Sequence, residues 1–156
     1  MVIAEAKELT LTPTAARAFL ARQHVGRIAF SQQDRVDIEP ISYTFHRDWI
    51  FGRTSVGTKL SSLAHRPWCA FEVDEVAGPF DWTSVVVKGS FHLLDPEAGS
   101  SDVYARALSS VRTLVPDAFS CTDPAPHRSI LFGIYVSEIT GRSAHQRGGE
   151  NADTVN

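Results

Sequence analysis

Polar and hydrophobic residues alternate with a period of two over most of the chain, which predicts a protein built mainly from β-strands. Residues 36–45 show the alternation best, although its phase slips by one position at Glu39 and Pro40. Proline cannot donate a hydrogen bond to a β-ladder, so this slip predicts a β-bulge or a sheet edge. The pattern predicts six strands, at residues 27–31, 36–45, 49–52, 68–74, 81–94 and 129–139.

Three segments have helical spacing instead. The first covers residues 9–25, with Pro13 near its start and Gly26 as its C-cap. The second is short, at residues 60–64, and the third covers residues 96–115. Six antiparallel strands with flanking helices predict an α+β domain, most simply a small closed barrel.

Length and charge narrow the class of protein. The 156 residues suit one domain, placed at residues 1–145 and followed by a flexible polar tail at 146–156. A net charge of -3 and the lack of a basic cluster argue against a nucleic-acid partner. No apolar run is long enough to cross a bilayer, and the acidic residues near the N-terminus do not suit a signal peptide. We therefore expect a cytoplasmic protein without membrane contact.

The reactive side chains form no catalytic or metal-binding pattern. The six histidines are scattered without ligand spacing, and Cys69 and Cys121 are far apart, so both cysteines are expected to be free thiols. No Ser-His-Asp or Cys-His arrangement stands out. We expect no metal and no catalytic side chain. His127, in a Pro-rich loop, is a candidate for lining the substrate side of a binding site.

Residues 49–60 contain the main candidate binding site. They begin as a strand, pass through a glycine-punctuated turn and end where a helical pattern starts. The turn carries two cations and three hydroxyl groups, from Arg53, Lys59, Thr54, Ser55 and Thr58. Free N–H groups at a helix start, hydroxyl donors and positive charge together suit an anion such as phosphate. The alternative interpretation is a solvated connecting loop.

Several motifs occur in an order that resembles the pyridoxamine 5'-phosphate oxidase-like family of FMN-binding split β-barrels, and in particular the branch of nitroimidazole-resistance proteins. The matching segments span about residues 10–145. They are Gly26-Arg-Ile-Ala-Phe30, Pro40-Ile-Ser-Tyr43, Phe51-Gly-Arg-Thr-Ser-Val-Gly-Thr-Lys59, Cys69-Ala-Phe-Glu-Val-Asp74, Trp82-Thr-Ser-Val-Val-Val-Lys-Gly89 and Ile139-Thr-Gly-Arg142.

The resemblance implies a homodimer with FMN in a groove between the two barrels. It implies that Arg53, Thr54, Ser55, Thr58 and Lys59 surround the FMN phosphate. It also implies that the backbone of Pro40, Ile41, Ser42 and Tyr43 lies along the flavin ring, and that Trp82 and Ser84 reach the partner's flavin.

Each of these residues also has a plain structural interpretation. Arg53 is placed to pair with Asp48 or another carboxylate, the hydroxyl residues suit an ordinary turn, and Trp82 suits a core or an interface. The sequence also departs from the oxidase, which has two cations at the place of Thr58-Lys59 and a glutamine at the place of Ser84. The oxidase's C-terminal Trp and Arg substrate motif has no counterpart. The resemblance therefore implies flavin binding more than pyridoxamine phosphate oxidation.

These observations lead to an FMN-dependent oxidoreductase that moves electrons to or from a small organic substrate, with NAD(P)H as a candidate donor. Two alternatives stay open. One is an F420-binding reductase of the same fold, for which the sequence offers few cations beyond Arg53 and Lys59. The other is a non-enzymatic module that binds flavin or haem.

Overall fold

The structure is a computed structural model that describes residues 5–56, 63, 65–97 and 101–146. This part of the chain forms one antiparallel sheet of eight strands with two helices, which confirms the predicted α+β class. In chain order the elements are β1 (Ala6–Thr10), α1 (Pro13–Arg22), β2 (Val25–Gln32), β3 (Arg35–Ser42), β4 (Thr44–His46), β5 (Trp49–Thr54), β6 (Trp68–Gly78), β7 (Asp81–Leu93), α2 (Ser101–Leu114) and β8 (Ile130–Gln146).

The predicted number of six strands was wrong by two. β1 was missed because its residues are mostly exposed and polar, so they carry no alternating pattern, and its last two residues fall within the predicted first helix. The single strand expected at residues 36–45 is divided into β3 and β4 at Tyr43. The side chain of Tyr43 is buried, and its backbone N–H donates to His24 O at 2.9 Å rather than to a neighbouring strand.

The strands follow the order β3-β2-β6-β7-β8-β5-β4, with β1 paired to β8. Within the described residues β3 and β4 do not pair with each other, so the closed barrel expected from the strand pattern was wrong, and the split barrel that the family resemblance implied is confirmed. The two ends of the sheet are nevertheless close, because only Tyr43 separates them along the chain. Close packing is visible at Gly52, where an added Cβ would lie 3.0 Å from Ser42 O.

The first helix is shorter than predicted because capping residues stop it at both ends. The Thr12 side chain accepts a hydrogen bond from Ala15 N at 3.1 Å, and Gln23 N donates back to Phe19 O at 3.3 Å. Gly26, predicted as the C-cap, instead lies in β2. Its missing side chain leaves room for Phe71, whose Cζ would be 2.2 Å from an added Cβ.

Two hydrophobic clusters lie on opposite faces of β5. Ile50 belongs to the cluster inside the barrel, which α1 covers with Ala16, Phe19 and Leu20. Phe51 points the other way and packs in a cluster with Ala107 and Val111 of α2, Ala118 of the following loop and Leu131 of β8. The alternation along β5 therefore holds α2 and the loop at residues 115–129 next to the end of β5.

The predicted bulge at Glu39-Pro40 was wrong, because β3 pairs with β2 in unbroken register from Arg35 to Ser42. The alternative, a sheet edge, is confirmed: β3 has no strand on its other side within the described residues. The real irregularity in the long strands lies at Gly89, where Ser137 of β8 is an extra residue between the pairs Lys88–Glu138 and Gly89–Val136.

β8 extends through Gln146, the first residue of the predicted tail, and residues 147–156 lie outside the described residues. No described helix combines the length and apolar character needed to cross a membrane.

Candidate functional site

A polar cavity of about 230 Å³ opens where the ends of β3 and β5 meet the loop at residues 115–129. It is lined by Glu39, Pro40, Ile41, Ser42, Arg53, Thr54, Ser55, His127 and Arg128. Six of the predicted site residues therefore come together, from two segments that are adjacent because β3 continues into β4 and β4 pairs with β5.

Tyr43, the last residue of the predicted ring-binding segment, faces the barrel core. Its hydroxyl donates to Leu20 O at 2.5 Å, its ring packs edge-on against Phe71 at 4.9 Å between centroids, and burial raises its pKa. Because its N–H is bonded to His24 O, the free backbone of the segment is that of Pro40 to Ser42, on the open edge of β3.

Arg53 forms a buried, two-point ion pair with Asp123. The guanidinium nitrogens Nη1 and Nη2 donate to the two carboxylate oxygens at 2.6 and 3.1 Å, and the side chains are only 9% and 3% exposed. This is the carboxylate pairing that was the alternative for Arg53, with Asp123 in place of Asp48, which pairs instead with Arg17. Much of the positive charge of Arg53 is thereby compensated.

Asp123 also organises its own loop. Its carboxylate accepts hydrogen bonds from Phe119 N at 2.7 Å and from Ala125 N at 2.8 Å. The hydrogen bond from Arg53 holds the pKa of Asp123 well below its ordinary range, against the opposing effect of burial. The Pro-rich loop is therefore pinned to the end of β5 and forms a fixed wall of the cavity.

Arg128 is the cation of this cavity that sequence reasoning missed. Its guanidinium makes no hydrogen bond or ion pair within the described part of the chain, and the residue is exposed beside Ser42 and Arg53. His127, noted as a candidate for the substrate side, lines the same cavity. No local motif marks Arg128, because only the fold of the loop brings it to residues 42 and 53.

Thr54 and Ser55 lie at the end of β5, where the phosphate was predicted. Thr54 is buried, Ser55 is partly buried, and both take part in interactions. Thr58 and Lys59, the other two predicted phosphate ligands, lie outside the described residues, as does most of the predicted short helix at residues 60–64. Leu63 of that helix is buried in the barrel core.

Trp82 and Ser84 do not line the polar cavity. They line a separate cleft of about 400 Å³ over β7 and β8, together with Thr10, Val86, Thr140, Gly141 and Arg142. The Ser84 hydroxyl donates to Glu72 Oε1 at 3.2 Å. Burial, followed by repulsion from Asp74, raises the pKa of Glu72, while Ser84 and Arg27 act in the opposite direction.

Pro40, of the predicted ring-binding segment, lies on the same face of the sheet as Trp82 and Ser84. Cross-strand partners point to the same side, and the register pairs Pro40 with Arg27, Arg27 with Glu72, and Asp74 with Ser84. We call this side the outer face. It also exposes large hydrophobic side chains at Val36 (79%), Ile38 (65%) and Trp68 (72%), with Val25, Val76 and Val86. Such a patch on one face is typical of an interaction surface.

Other chemistry is sparse. No group of three or more metal-ligand side chains occurs among the described residues. Cys69 is buried, which raises its pKa to about 12, and Cys121 is exposed; neither is bonded to another cysteine.

Comparisons with known proteins agree with this architecture. A family model for pyridoxamine 5'-phosphate oxidase matches residues 12–143. A FAD-binding protein from Mesorhizobium loti is similar in structure, with a TM-score of 0.72 and 22% identity over 91% of this chain and 100% of its own. A FAD- and haem-binding protein from Mycobacterium smegmatis has a TM-score of 0.61 and 14% identity over 89% and 74%.

A protein assigned to 5-nitroimidazole antibiotic resistance, from Bacteroides thetaiotaomicron, is similar with a TM-score of 0.67 and 14% identity over 92% of this chain and 91% of its own. At these identities the three structures show a shared fold. No curated protein sequence gives a significant match.

Proposed function

The chain belongs to the pyridoxamine 5'-phosphate oxidase family, and on that premise we propose that it is an FMN-dependent oxidoreductase acting on a small organic substrate. The observation that carries the proposal is the convergence of Pro40, Ile41, Ser42, Thr54 and Ser55 on one polar cavity. Hydroxyl groups at one end and an open strand edge at the other suit a molecule with a phosphate and a polar ring.

The phosphate would be held by the hydroxyl groups of Thr54 and Ser55, with Thr58 and Lys59 completing the set from the following segment. Arg53 would contribute less charge than the sequence suggested, because Asp123 already takes two of its donors. Its main role would be to fix the loop that closes the cavity. Among the phosphate ligands predicted from the sequence, Lys59 then becomes the main cation.

The flavin ring would lie along Pro40, Ile41 and Ser42, where β3 has an open edge within the described residues. Alternate N–H and C=O groups of an edge strand point away from its neighbour and can bond a ligand. Tyr43 would support this segment from below through its bonds to Leu20 and His24.

Bound flavin supplies the electron chemistry, accepting an electron pair from a donor such as NAD(P)H and passing it to an organic acceptor. The chain then needs no nucleophile or metal, and its residues have to bind, orient and shield.

We further propose that the active form is a homodimer joined through the outer face. The face exposes Val36, Ile38 and Trp68, and it carries Trp82 and Ser84 at a distance from the cavity of their own chain. A second copy packed on this face would cover the hydrophobic residues and bring a Trp82 towards each flavin.

The direct test is titration of the purified protein with FMN, followed by quenching of flavin fluorescence. We expect binding at micromolar concentrations and a yellow protein. In the variant Lys59→Ala, loss of a charge-assisted contact should weaken binding about tenfold or more. Absence of FMN binding in the wild type would refute the flavin assignment.

Turnover of NADH or NADPH with a quinone acceptor, at a rate above that of free FMN, separates an enzyme from a flavin-storage module. Equal rates would favour the module.

FAD is the second cofactor to test, because two of the similar structures are FAD-binding proteins. Haem belongs in the same comparison because one of them also binds haem. F420 ranks lower: its acidic tail needs several cations, and of the two arginines that line the cavity Arg53 is compensated by Asp123, which leaves Arg128. Competition between FMN, FAD, F420 and haem for the purified protein would rank them directly.

A further inference from the structure

A second cavity of about 160 Å³ lies on the other side of Ser42, Arg53 and Arg128, which line both spaces. It is bounded by β5, the last turns of α2 and the Pro-rich loop. Most of its wall is apolar and consists of Phe51, Val111, Leu114, Val115, Pro124 and Ala125.

The polar groups of this wall are largely occupied. The Thr44 hydroxyl accepts a hydrogen bond from Ser110 at 2.6 Å, and the charge of Arg53 is compensated by Asp123. Arg128 differs, since its guanidinium has no hydrogen-bond or ion-pair partner within the described part of the chain. An uncompensated guanidinium at the mouth of an apolar cavity is a receptor for a carboxylate attached to an apolar body.

We propose that this second cavity is the substrate pocket, and that it takes a small apolar carboxylic acid whose carboxylate binds Arg128. Describing the ligand as a substrate rests on the flavin function proposed above; the binding site itself does not. Arg128 reaches both cavities, so the acid would sit next to the ring-binding segment, with Ser42 at the boundary.

The size of the cavity limits the apolar part to about one ring. An apolar protein cavity of roughly 150 Å³ is enough to hold benzene. Glu39, the acidic residue that lines the polar cavity, does not line the apolar one. A carboxylate that binds Arg128 from the apolar cavity is therefore not placed beside Glu39.

The fixed loop supports this selectivity. Pro124 and Ala125 form part of the wall, and Asp123, next to them in sequence, is bonded to Arg53 and to the amides of Phe119 and Ala125. A wall held in this way is already shaped before the ligand enters, which lowers the entropic cost of binding.

The test compares benzoate with benzamide, a neutral molecule of nearly the same shape, by isothermal titration calorimetry on the purified protein. We expect wild type to bind benzoate at least about tenfold more tightly, the size of a charge-assisted hydrogen bond. Arg128→Met should bring the two affinities within about twofold, by the same estimate. Arg35→Met removes an exposed arginine at the start of β3, outside both cavities, and should preserve the preference.

A second pair of variants tests the apolar wall. Ala125→Leu should fill the cavity and weaken both probes, with its thermal melting curve confirming a folded protein. If Ala125→Leu does not fold, Leu114→Trp fills the same space from α2. Unchanged affinity for both probes in a folded variant would overturn the assignment of the pocket.

FMN affinity, measured on the same proteins, separates this inference from the flavin assignment. Retained FMN binding with lost benzoate preference in Arg128→Met supports a substrate role. A tenfold loss of FMN affinity with an unchanged benzoate preference would overturn it, since Arg128 would then serve the cofactor. Benzoate preference without any FMN binding would leave the acid site standing and refute the flavin function.

Discussion

At the scale of single residues, Tyr43 shows how one side chain determines the shape of a binding segment. Tyr43 belongs to the alternating segment at residues 36–45, and its side chain is buried in the core. The alternation did not show that the Tyr43 hydroxyl donates to Leu20 O in α1, or that the Tyr43 backbone N–H donates to His24 O, just after that helix. The site segment is therefore held by contacts that come from sequence-distant residues.

The variant Tyr43→Phe should remove the hydrogen bond to Leu20 O and lower the free energy of unfolding by about 0.5–1.5 kcal/mol. Urea denaturation followed by tryptophan fluorescence measures the difference. Tyr135→Phe, at a tyrosine that is 45% exposed, is the matched control and should leave the stability nearly unchanged. Equal effects of the two changes would contradict the proposed support.

Asp123 makes the stability dependent on pH. Because folding lowers its pKa from 3.8, the stabilisation is complete above that value and is lost as the pH falls through the lower folded-state pKa. Asp123→Asn should therefore be less stable than wild type at neutral pH, and the difference should narrow as the pH falls below about 4.

Urea midpoints measured between pH 2 and pH 7 test this expectation. Asp34→Asn, in the exposed β2–β3 turn, keeps a residue type that tolerates the positive φ of 61° and serves as the control. A constant difference between wild type and Asp123→Asn across the whole pH range would contradict the role of the ion pair.

The sequence could predict Arg53 as a site residue but could not choose between a phosphate and a carboxylate partner. Asp123 is 70 positions away, and nothing in its Pro-rich surroundings shows that the loop returns to β5. Arg128 was missed for the same reason. Lys59 and Thr58 stay predictions, because they lie outside the described residues.

At the scale of elements, long alternating strands were predictable and weakly patterned ones were not. β7 was placed to within one residue, and β6 was found but ended four residues early; both were detected because inward residues such as Phe71, Val85 and Val87 are fully buried. β1 was missed because it is a polar strand at the side of β8, where pairing rather than burial decides its conformation. The glycines that allow close packing carry no such pattern either.

Gly89→Ala should destabilise the sheet by about 1–3 kcal/mol, because the new Cβ would lie 2.2 Å from Tyr135 O, a backbone atom. Gly78→Ala is the matched control in β6, where an added Cβ has no atom within 4 Å, and its effect should stay within about 1 kcal/mol. Thermal and urea unfolding of both variants measure the difference. Similar stabilities would show that the bulge at Ser137 relaxes to accept a side chain.

At the scale of the whole molecule, the predicted dimer depends on the outer face. Ile38→Arg places a charge among exposed hydrophobic residues and should convert the dimer to a monomer in sedimentation, while weakening FMN binding. Leu9→Arg is the control, at a residue that is 47% exposed. Leu9 is the cross-strand partner of Ser143, and Ser143 is the partner of Thr83, so the side chain of Leu9 lies on the side of the sheet opposite the outer face. A monomeric wild type that still binds FMN would contradict the shared site.

β8 has a consequence for how the protein is made. One edge of this strand pairs with β7, and the other pairs with β5 near its start and with β1 near its end. During synthesis these three strands leave the ribosome long before the strand that joins them, so the sheet cannot be completed until the end of the chain emerges. Nascent chains should therefore depend on chaperones until β8 is released, and a chain cut before Ile130 should aggregate rather than fold.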